Sequence, residues 1–406
     1  MAYSTPFPDL CLSDFGYDLP EDRIARYPLE KRDSSKLLVR KAGCIEEGLY
    51  SDLPLFLPFP SLLVFNNSRV VEARILFQKP SGGQIEIFCL GPHSTYSISE
   101  AMSQTGSVLW SCLIGGASKW KSGQLLMKQV GETRLTARFV EKRTDDFIVE
   151  FSWMPTHISF ASLLHELGSV PLPPYLKRTA DDQDAERYQT IYARESGSVA
   201  APTAGLHFSE HLMQSLTDKH ISSLYLTLHV GAGTFMPVKS EKISDHQMHE
   251  EFIEVTEAAV EMLIEKLNDP VIAVGTTSLR TLETLYWLGL KVSQDINILA
   301  EDLVLDQWFP YRQTATIPVS EALDFLLTWI RLLPGKKLIT KTRLFIVPGY
   351  SFKIVRGLIT NFHQPHSTLL LLVAALVGPS WKSVYRLALE NNYRFLSYGD
   401  GCLFLP

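Results

Sequence analysis

Two histidines stand inside glycine-containing motifs and are candidates for proton transfer. His207 belongs to Ala-Pro-Thr-Ala-Gly-Leu-His-Phe at 201–208, which directly precedes a helical pattern. His229 belongs to Thr-Leu-His-Val-Gly-Ala-Gly-Thr-Phe at 227–235, where a strand pattern enters a glycine-rich turn. Because an imidazole changes its charge near neutral pH, it can serve as a general acid or base. We therefore predict His207 and His229 as catalytic residues.

The glycines of these two motifs could bring backbone close to a ligand. Gly205, Gly231 and Gly233 carry no Cβ, and a glycine such as Gly205 also tolerates positive φ. Helix amides that follow Gly205 could hold an anion. In the structural alternative for the first motif, Thr203 or Ser209 caps a helix and His207 packs against neighbouring residues without a catalytic role. The second motif is not a dinucleotide fingerprint, since it lacks a third glycine, and a bulged strand end is its alternative.

A third motif, Val-Ile-Ala-Val-Gly-Thr-Thr-Ser-Leu-Arg at 271–280, reads as a buried strand that runs into a helix. Ligands of open α/β sheets collect at the carboxyl ends of strands. Thr276 and Thr277, together with free helix amides, would suit a carboxylate or ribose hydroxyls. Arg280 could bind a carboxylate or phosphate in a fork. The alternative is ordinary helix capping with Arg280 in solvent.

A further polar group precedes a strongly apolar helix pattern at 368–377. Asn361 and His363 stand in Leu-Ile-Thr-Asn-Phe-His-Gln-Pro-His-Ser-Thr-Leu at 358–369, and Phe362 between them could stack on a base. The alternative is a structural loop packed by Phe362. His246 and His249 could share a helix face, but no third metal ligand has a recognisable spacing. We predict no metal site.

The charge distribution suggests contact with a polyanion, although the net charge is −6. One basic cluster lies at 31–41, and a longer basic stretch lies at 325–389. Localised basic zones on an acidic protein are typical of a nucleic-acid footprint, whereas solvated faces of unrelated elements are the alternative. The stretch 325–389 contains no Asp or Glu but holds Arg331, Lys336, Lys337, Lys341, Arg343, Lys353, Arg356, Lys382 and Arg386.

The elements that must position these residues predict an α/β fold with an insertion. Strand and helix patterns alternate from about 157 onwards, which favours a mainly parallel sheet covered by helices. Residues 1–70 and 154–406 would form this catalytic domain. Short strand patterns with turn signals between them predict an inserted antiparallel β-barrel at 71–153. The predicted strands are 70–77, 84–90, 108–114, 124–130, 134–140 and 147–151 in the barrel, and 61–66, 221–230, 271–274 and 344–347 in the α/β domain.

Composition narrows the setting of the protein. Its 406 residues suit two domains, and 46% hydrophobic residues can bury a sizeable core. The apolar run at 369–377 is too short to span a membrane and reads as a buried helix. Five scattered cysteines predict neither disulfides nor a zinc knuckle and suit a reducing cytoplasm. The N-terminus shows no secretion signal pattern, so we expect a cytoplasmic protein.

Taken together, the motifs resemble those of one family, the S-adenosylmethionine:tRNA ribosyltransferase-isomerases of queuosine biosynthesis. The resemblance runs over most of the chain. The matching stretches are FGYDLP at 15–20, IARYPLEKRDSS at 24–35, FNNSRV at 65–70, AR at 73–74, HELG at 165–168, PLPPYLKR at 171–178, RYQTIYAR at 187–194, AAPTAGLHF at 200–208, LHVGAGTF at 228–235, PGY at 348–350, TNFH at 360–363, YRF at 393–395 and SYGD at 397–400.

The resemblance implies an α/β domain with a smaller β-barrel, as the strand patterns also predict. It implies two substrates, S-adenosylmethionine and a tRNA with 7-aminomethyl-7-deazaguanine at the wobble position, and no metal or other cofactor. The products would be the epoxyqueuosine nucleotide, adenine and methionine. We expect a monomer that works away from membranes. The chain departs from the family pattern at Asn67 and Ser68, at Glu72, at 341–343, and at Gln364 and His366.

Roles for single residues follow from the resemblance and the motifs together. His207 or His229 would remove a proton beside the sulfonium. Thr276, Thr277 and Arg280 would hold the methionine carboxylate. Two alternatives stay open, a methyltransferase acting on RNA and a non-catalytic RNA-binding homologue. Further substrate-binding residues would be Thr203, Gly205, Gly231, Gly233, Asn361 and His363, and Arg32, Lys177, Arg178, Lys353 and Arg356 would bind tRNA phosphates.

Overall fold

The computed structural model describes residues 10–79, 81–93, 97–121, 123–144, 146–231 and 240–406. Their strands form a nine-stranded mixed sheet, a six-stranded antiparallel sheet and a two-stranded sheet. The strands are β1 Lys36–Lys41, β2 Cys44–Leu49, β3 Leu62–Asn66, β4 Ser68–Val70, β5 Arg74–Gln78, β6 Gln84–Pro92, β7 Ser107–Gly115, β8 Leu125–Val130, β9 Thr133–Lys142, β10 Phe147–Met154, β11 Glu195–Ser198, β12 Ser222–His229, β13 Glu251–Thr256, β14 Val271–Val274, β15 Lys337–Thr342, β16 Gly357–Asn361 and β17 Gly401–Leu405.

Helices cover the large sheet and one side of the smaller one. The helix α7 is the longest of the described residues and is buried along most of its length. The helices are α1 Leu53–Phe56, α2 Ile98–Ser103, α3 Phe160–Leu167, α4 Asp184–Arg187, α5 Glu210–Asp218, α6 Glu257–Glu265, α7 Thr276–Gln294, α8 Phe309–Arg312, α9 Val319–Leu332, α10 Thr368–Val377 and α11 Trp381–Glu390.

Four neighbouring parallel strands form the centre of the large sheet. Its order is β15-β13-β12-β3-β14-β16-β17-β1-β2, and β12, β3, β14 and β16 run in parallel. Every residue of β3, β14 and β16 is buried, because helices cover both faces of the sheet. The chain passes from β3 to β12 on one side and later to β14 on the other. This reversal is a topological switch point, where ligands of open α/β sheets bind.

The six-stranded sheet is the predicted antiparallel barrel. Its order is β5-β6-β7-β10-β9-β8, all neighbours are antiparallel, and the two outer strands contact each other. Each strand coincides with one of the strands predicted between 70 and 151. The helix α3 adds Phe160, Leu163, Leu164 and Leu167 to the barrel core. The apolar core of this unit therefore continues past residue 153.

One strand prediction is wrong. Residues 344–347 are buried, as their apolar pattern requires, but they do not pair with a strand. Single contacts satisfy their backbone instead: Leu344 N donates to Thr342 Oγ1 at 3.1 Å, Phe345 N to Gln307 O at 3.4 Å, and Val347 N to Tyr311 Oη at 3.1 Å. The strand of this region, β15, lies just before and pairs with β13. An apolar run indicates that a segment is buried, but burial alone does not show that the segment pairs with a neighbouring strand.

The apolar segment at 369–377 is a helix of the core, as expected. α10 and α11 together form the one helical stretch of the described residues, Thr368–Glu390, that is long and apolar enough to cross a membrane. Leu370, Leu371 and Val373 are fully buried in the main hydrophobic cluster. This burial accounts for the apolar composition of α10.

Candidate active site

A cavity opens at the carboxyl edge of the parallel strands. Its walls come from residues 200–204, 275–277 and 360–369, with Tyr175, Tyr188 and Val230 beside them. The empty space is about 940 Å³, including the open mouth. We name it the Asn361 cavity. Of the residues predicted from the sequence, it brings together Thr203, Thr276, Thr277, Asn361 and His363.

A smaller cavity adjoins it. Thr276, Thr277, Thr368 and Leu369 line both cavities, so the two share one wall. The empty space of the second is about 380 Å³, again including its mouth. We name it the Arg280 cavity. Its remaining lining residues are Met248, Arg280, Leu344, Phe345, Ile346 and Leu372.

Two helices begin at the shared wall. α7 starts at Thr276, directly after Gly275, whose φ of 90° suits a glycine and whose position leaves the helix without a side-chain cap. The first amides of a helix have no partner within it and carry partial positive charge. α10 starts at Thr368, where Ser367 Oγ accepts a hydrogen bond from Leu370 N at 3.2 Å. This wall therefore suits an anion or the oxygen atoms of a sugar.

A chain of hydrogen bonds runs from the Asn361 cavity into the core. The Thr203 hydroxyl donates to Asn361 Oδ1 at 2.8 Å, and Asn361 Nδ2 donates to His207 Nε2 at 3.0 Å. Since Nε2 accepts, the ring proton is on Nδ1, which donates to Ser35 Oγ at 3.1 Å. The direction of this chain leaves the lone pairs of the Thr203 oxygen for the cavity. Thr203 is thus held as a hydrogen-bond acceptor for a ligand.

His207 lies behind the cavity wall rather than in it. The side chain is buried, and its ring stacks on the ring of Tyr50 with centroids 4.3 Å apart. Burial and then the nearby Arg394 lower the pKa of His207 to about 3, so the imidazole is neutral at pH 7. Both ring nitrogens already have protein partners. The geometry therefore favours the packing alternative, in which Ser209 caps α5 by accepting from Leu212 N at 3.0 Å.

His229 is also removed from both cavities, although the next residue, Val230, lines the larger one. Its Nε2 lies 3.2 Å from Oε1 of Glu254, which also pairs with Lys337. Burial tends to raise the pKa of Glu254, but the hydrogen bonds from His229 and Lys337 outweigh it and lower this pKa to about 2. Both partners are buried. This cluster joins β12 to β13 and β15, while Nδ1 of His229 has no hydrogen-bond partner among the described residues. The catalytic role of His229 therefore stays a prediction.

The three glycines predicted to bind the substrate have different surroundings. Gly205 has no positive φ, and a Cβ there would collide with the hydroxyl group of Tyr192, so the absent side chain makes room for protein rather than for a ligand. A Cβ on Gly231 would meet none of the described residues within 4 Å. Gly231 is therefore open to a ligand. Gly233 lies outside the described residues.

Two histidines, His363 and His366, line the Asn361 cavity. The buried one is His363, whose Nε2 lies 2.9 Å from Thr360 Oγ1 and whose backbone N donates to Tyr385 Oη at 3.1 Å. No hydrogen bond from the described residues reaches its Nδ1. Burial lowers the pKa of His363 to about 3, which keeps the imidazole neutral at pH 7. The described residues that line this cavity include no carboxylate, so the two imidazoles are the candidate proton acceptors among them.

The neighbouring Phe362 is not available to a base. Its side chain is fully buried and packs on Tyr385, Tyr393 and Phe395, with ring centroids 4.7 Å apart for the last pair. The structural alternative for Phe362 is therefore correct. Its role is to fix the loop that carries Asn361 and His363.

Arg280 is buried in the protein rather than in solvent. It forms an ion pair with Glu251 of β13, and burial lowers the pKa of Arg280 to about 10. The guanidinium still carries its charge at pH 7. Among the described residues, Glu251 is its one ion-pair partner. Since Arg280 lines the second cavity, its remaining N–H groups can meet a ligand there.

Two of the arginines predicted to bind tRNA are committed to the protein itself. Arg32 donates to the carbonyl oxygens of Glu186, Gln189 and Leu206 at 2.9 to 3.1 Å. Arg178 makes a bidentate pair with the buried carboxylate of Asp184. Both side chains therefore tie protein segments together, and their contact with tRNA phosphates stays a prediction.

The other predicted tRNA contacts differ in position. Lys177 is 59% exposed, pairs with Glu21 at 2.9 Å and stands close in sequence to Tyr175 of the cavity wall. Lys353 packs over the rings of Tyr286 and Trp287. Arg356 precedes β16, and its backbone N donates to Val271 O at the start of β14. Arg356 thus lies at the opposite edge of the sheet, about 16 Å along the strand from the cavity.

Much of the acid-free stretch at 325–389 is neutralised by the segment at 250–261. Arg331 pairs with Glu257 and Glu261, and Lys336 also pairs with Glu257. Lys341 and Arg343, two of the departures from the family pattern, both pair with Glu250. This stretch is consequently not a continuous basic surface. The described residues contain no group of three His, Cys, Asp or Glu that could hold a metal ion.

The two buried histidines predict a pH dependence of stability. His207 and His363 have an ordinary pKa of 6.5 and a folded-state pKa of about 3. Below pH 6.5 the unfolded chain binds protons that the folded chain does not, so the free energy of unfolding falls as the pH falls, by up to about 1.4 kcal/mol per pH unit for each histidine. We expect urea titrations between pH 6.5 and about 5 to give a smaller slope for His363→Gln. An unchanged slope would contradict this.

The chain matches known proteins along nearly its whole length. A sequence model of the queuosine biosynthesis proteins matches residues 12–404. The S-adenosylmethionine:tRNA ribosyltransferase-isomerase of Halothermothrix orenii is 38% identical over 403 residues, which cover 97% of this chain and 99% of that protein. That of Desulfitobacterium hafniense is 38% identical over 400 residues, with 97% and 99% covered. A crystal structure of the S-adenosylmethionine tRNA ribosyltransferase from Thermotoga maritima has 27% identity, covers 97% of this chain and 100% of that one, and gives a TM-score of 0.45.

Proposed function

The chain belongs to the family of queuosine biosynthesis proteins and is an S-adenosylmethionine:tRNA ribosyltransferase-isomerase, and we propose that the Asn361 cavity is the place where it transfers the ribosyl group. The observation that carries this proposal is the convergence of Thr203, Thr276, Thr277, Asn361 and His363, from three separate motifs, on one cavity. This cavity lies at the switch point of the sheet. No residue group in it requires a metal, and S-adenosylmethionine acts as a co-substrate.

The wall chemistry fits a nucleoside with a positively charged sulfur. The described lining contains hydroxyl, amide and aromatic groups, which can meet ribose oxygens, the adenine and the sulfonium. Thr203 is fixed as an acceptor and would take a hydrogen bond from a ribose hydroxyl. The partially positive N-terminus of α7, with the hydroxyls of Thr276 and Thr277, would hold the methionine carboxylate together with Arg280.

The reaction begins with the proton beside the sulfonium. A base takes this proton from the ribose carbon, and the electron pair remains on carbon, where the positive sulfur stabilises it. The ribose then rearranges while adenine leaves and the aminomethyl nitrogen attaches, and methionine leaves as the epoxide closes. The products of the proposed reaction are the epoxyqueuosine nucleotide, adenine and methionine.

Among the histidines, we assign contact with the substrate to His363. His363 lies on the same loop as Asn361 and lines the cavity, and when its Nε2 donates to Thr360 Oγ1, its Nδ1 is left as a proton acceptor. His207 acts through Asn361 and is a positioning residue. His229 supports the strand from which Val230 and Gly231 continue. The proposal differs here from the sequence-based assignment, because hydrogen-bond reach decides before pKa does.

Of the predicted tRNA contacts, Lys177 is the one that supports binding at this cavity. Its ammonium is exposed, and the Pro174–Leu176 turn before it includes Tyr175 of the cavity wall. Arg32 and Arg178 would stabilise the tRNA-facing segments from behind. We expect tRNA affinity to fall with salt, since phosphate contacts release counterions.

Substitution of Thr203 tests the assignment of the cavity. Thr203→Val keeps the shape but removes the hydroxyl, and we expect kcat/KM to fall about fivefold to a hundredfold, because Asn361 Oδ1 and the ribose hydroxyl lose their partner at a cost of about 1–3 kcal/mol. Thr203→Ser keeps the hydroxyl and should retain most activity. Nucleoside mass analysis of precursor tRNA, with adenine quantified in parallel, measures both variants.

Several outcomes would overturn the proposal. Equal activity of Thr203→Val and Thr203→Ser, in folded proteins, would remove Thr203 from the site. Formation of S-adenosylhomocysteine without adenine would show methyl transfer instead of ribosyl transfer. Binding of tRNA without consumption of S-adenosylmethionine would indicate an RNA-binding protein without catalysis.

A further inference from the structure

We propose that the Arg280 cavity is a separate subsite for the amino-acid arm of the sulfonium substrate, so that the ligand lies across the start of α7. The inference rests on the function proposed above. It adds that the nucleoside and the amino acid occupy two different compartments. It also identifies the residues that recognise the arm.

The shared wall makes such a binding mode possible. Thr276, Thr277, Thr368 and Leu369 border both cavities, so a ligand can extend from one to the other around the start of α7. A sulfonium at this boundary would have its nucleoside on one side and its two methylenes and α-carbon on the other. The empty space of about 380 Å³, which includes the mouth, has room for this short arm.

The lining of the smaller cavity matches an arm that is apolar along its stem and charged at its end. Met248, Phe345, Ile346 and Leu372 offer apolar contact to the methylenes. Arg280 supplies the one guanidinium among the described lining residues. A carboxylate that accepts from a guanidinium makes charge-assisted hydrogen bonds in a fixed geometry.

The buried ion pair explains why the charge of Arg280 can be held in this cavity without a ligand. Glu251 balances it, and both side chains are buried. A guanidinium has five N–H donors, and one carboxylate does not use them all. The α-carboxylate of a ligand can therefore bind a second edge of Arg280 while the amides of Thr276 and Thr277 face the same place.

The wall opposite Arg280 is a rigid loop rather than a strand. Phe345 N donates to Gln307 O at 3.4 Å, and Phe345 O accepts from Tyr311 Oη at 2.9 Å. Leu344, Phe345 and Ile346 of this segment line the Arg280 cavity together with Arg280. The segment at 344–347, which was predicted to be a strand, is therefore a loop that forms part of the proposed subsite.

Truncation of the ligand tests the inference without turnover. S-adenosylhomocysteine carries the amino-acid arm, whereas 5′-methylthioadenosine lacks it, and both are measured by calorimetry against the full-length protein. We expect Arg280→Met to weaken S-adenosylhomocysteine about tenfold to a hundredfold, as for a lost hydrogen bond to a charged group. The affinity for 5′-methylthioadenosine should change less than about twofold. Arg343→Met, which removes an exposed arginine paired with Glu250, is the matched control.

A second variant distinguishes the loss of the Arg280 charge from a loss of folding. Leu372→Phe adds bulk to the smaller cavity from α10 and leaves Arg280 and Glu251 in place. It should weaken S-adenosylhomocysteine severalfold and spare 5′-methylthioadenosine. Equal weakening of both ligands by both folded variants, or no weakening of either, would overturn the subsite. Failure of both ligands to bind the unaltered protein would instead overturn the proposed function of the Asn361 cavity.

Discussion

Replacing Asn361 by alanine is expected to lower kcat/KM about a hundredfold to a thousandfold. The side chain accepts from Thr203 and donates to Nε2 of His207, so the variant leaves the buried Nε2 of His207 and the half-buried hydroxyl of Thr203 without these partners. The hydroxyl of Thr203 would also lose the direction that makes it an acceptor for the substrate. Since about 1.4 kcal/mol equals a factor of ten in rate, two losses of about 1.4–2 kcal/mol each give this range.

Steady-state kinetics with both substrates measures the effect, and thermal unfolding shows how much of it is lost stability. Asn361→Asp keeps an acceptor for Thr203 but removes the donor to His207, so its activity should lie between those of the alanine variant and the unaltered protein. Asn391→Ala, at the exposed end of α11, is the matched control. A folded Asn361→Ala protein with full activity would show that the hydrogen-bond chain does not serve the reaction.

Replacing Glu283 by alanine is expected to lower the free energy of unfolding by about 3–5 kcal/mol, the range for breaking a buried charged network. Burial raises the pKa of this carboxyl group on α7. It accepts from the hydroxyl of Tyr350 at 2.9 Å and from the backbone N of Lys353, Ile354 and Val355 at 2.8 to 2.9 Å. Alanine would leave all four donors unpaired in the interior.

Urea unfolding at constant pH measures this loss. Glu283→Gln retains one carbonyl oxygen of the same shape and should cost less than the alanine variant. Glu265→Ala, exposed at the end of α6, should change the free energy of unfolding by less than about 0.5 kcal/mol. A loss below about 1 kcal/mol in Glu283→Ala would mean that the loop at 350–355 does not depend on this carboxylate.

The helix that carries Glu283 also begins at the shared wall of both cavities. For this reason we expect Glu283→Ala to weaken ligand binding along with stability, whereas Thr203→Val should affect activity alone. The contrast separates residues that hold the site from residues that touch the ligand. It requires only that each variant be measured for both properties.

Local patterns predicted most elements because those elements bury one regular face. The barrel strands alternate in polarity along the chain, α9 carries apolar positions at helical spacing, and α10 is an uninterrupted apolar run, so their type follows from short stretches of sequence. Of the nine strands of the large sheet, the sequence identified β3, β12 and β14, whereas β1, β2, β13, β15, β16 and β17 were not identified. At one side of this sheet, β17 and β1 pair in parallel although they are far apart in sequence. Pairing between distant strands leaves no local signature.

The candidate site shows the same difference between what local patterns predict and what depends on contacts between distant residues. The sequence selected Thr203, Thr276, Thr277, Asn361 and His363, because hydroxyl and amide groups at strand ends and helix starts have few structural reasons to be there. It could not rank the histidines. A histidine in a motif looks the same whether its ring faces a cavity or, as in His207, stacks on a buried tyrosine.

By itself the sequence determined the family, the α/β fold with its inserted barrel, and the motifs that meet at the carboxyl edge of the sheet, since each of these depends on residue types and their spacing. Only the tertiary structure decided which side chains face the cavity, which arginines are already paired, and that a second cavity lies beside Arg280. The physical reason is that direction, burial and hydrogen-bond partners belong to pairs of residues far apart in the chain, such as Thr203 with Asn361 and Arg280 with Glu251.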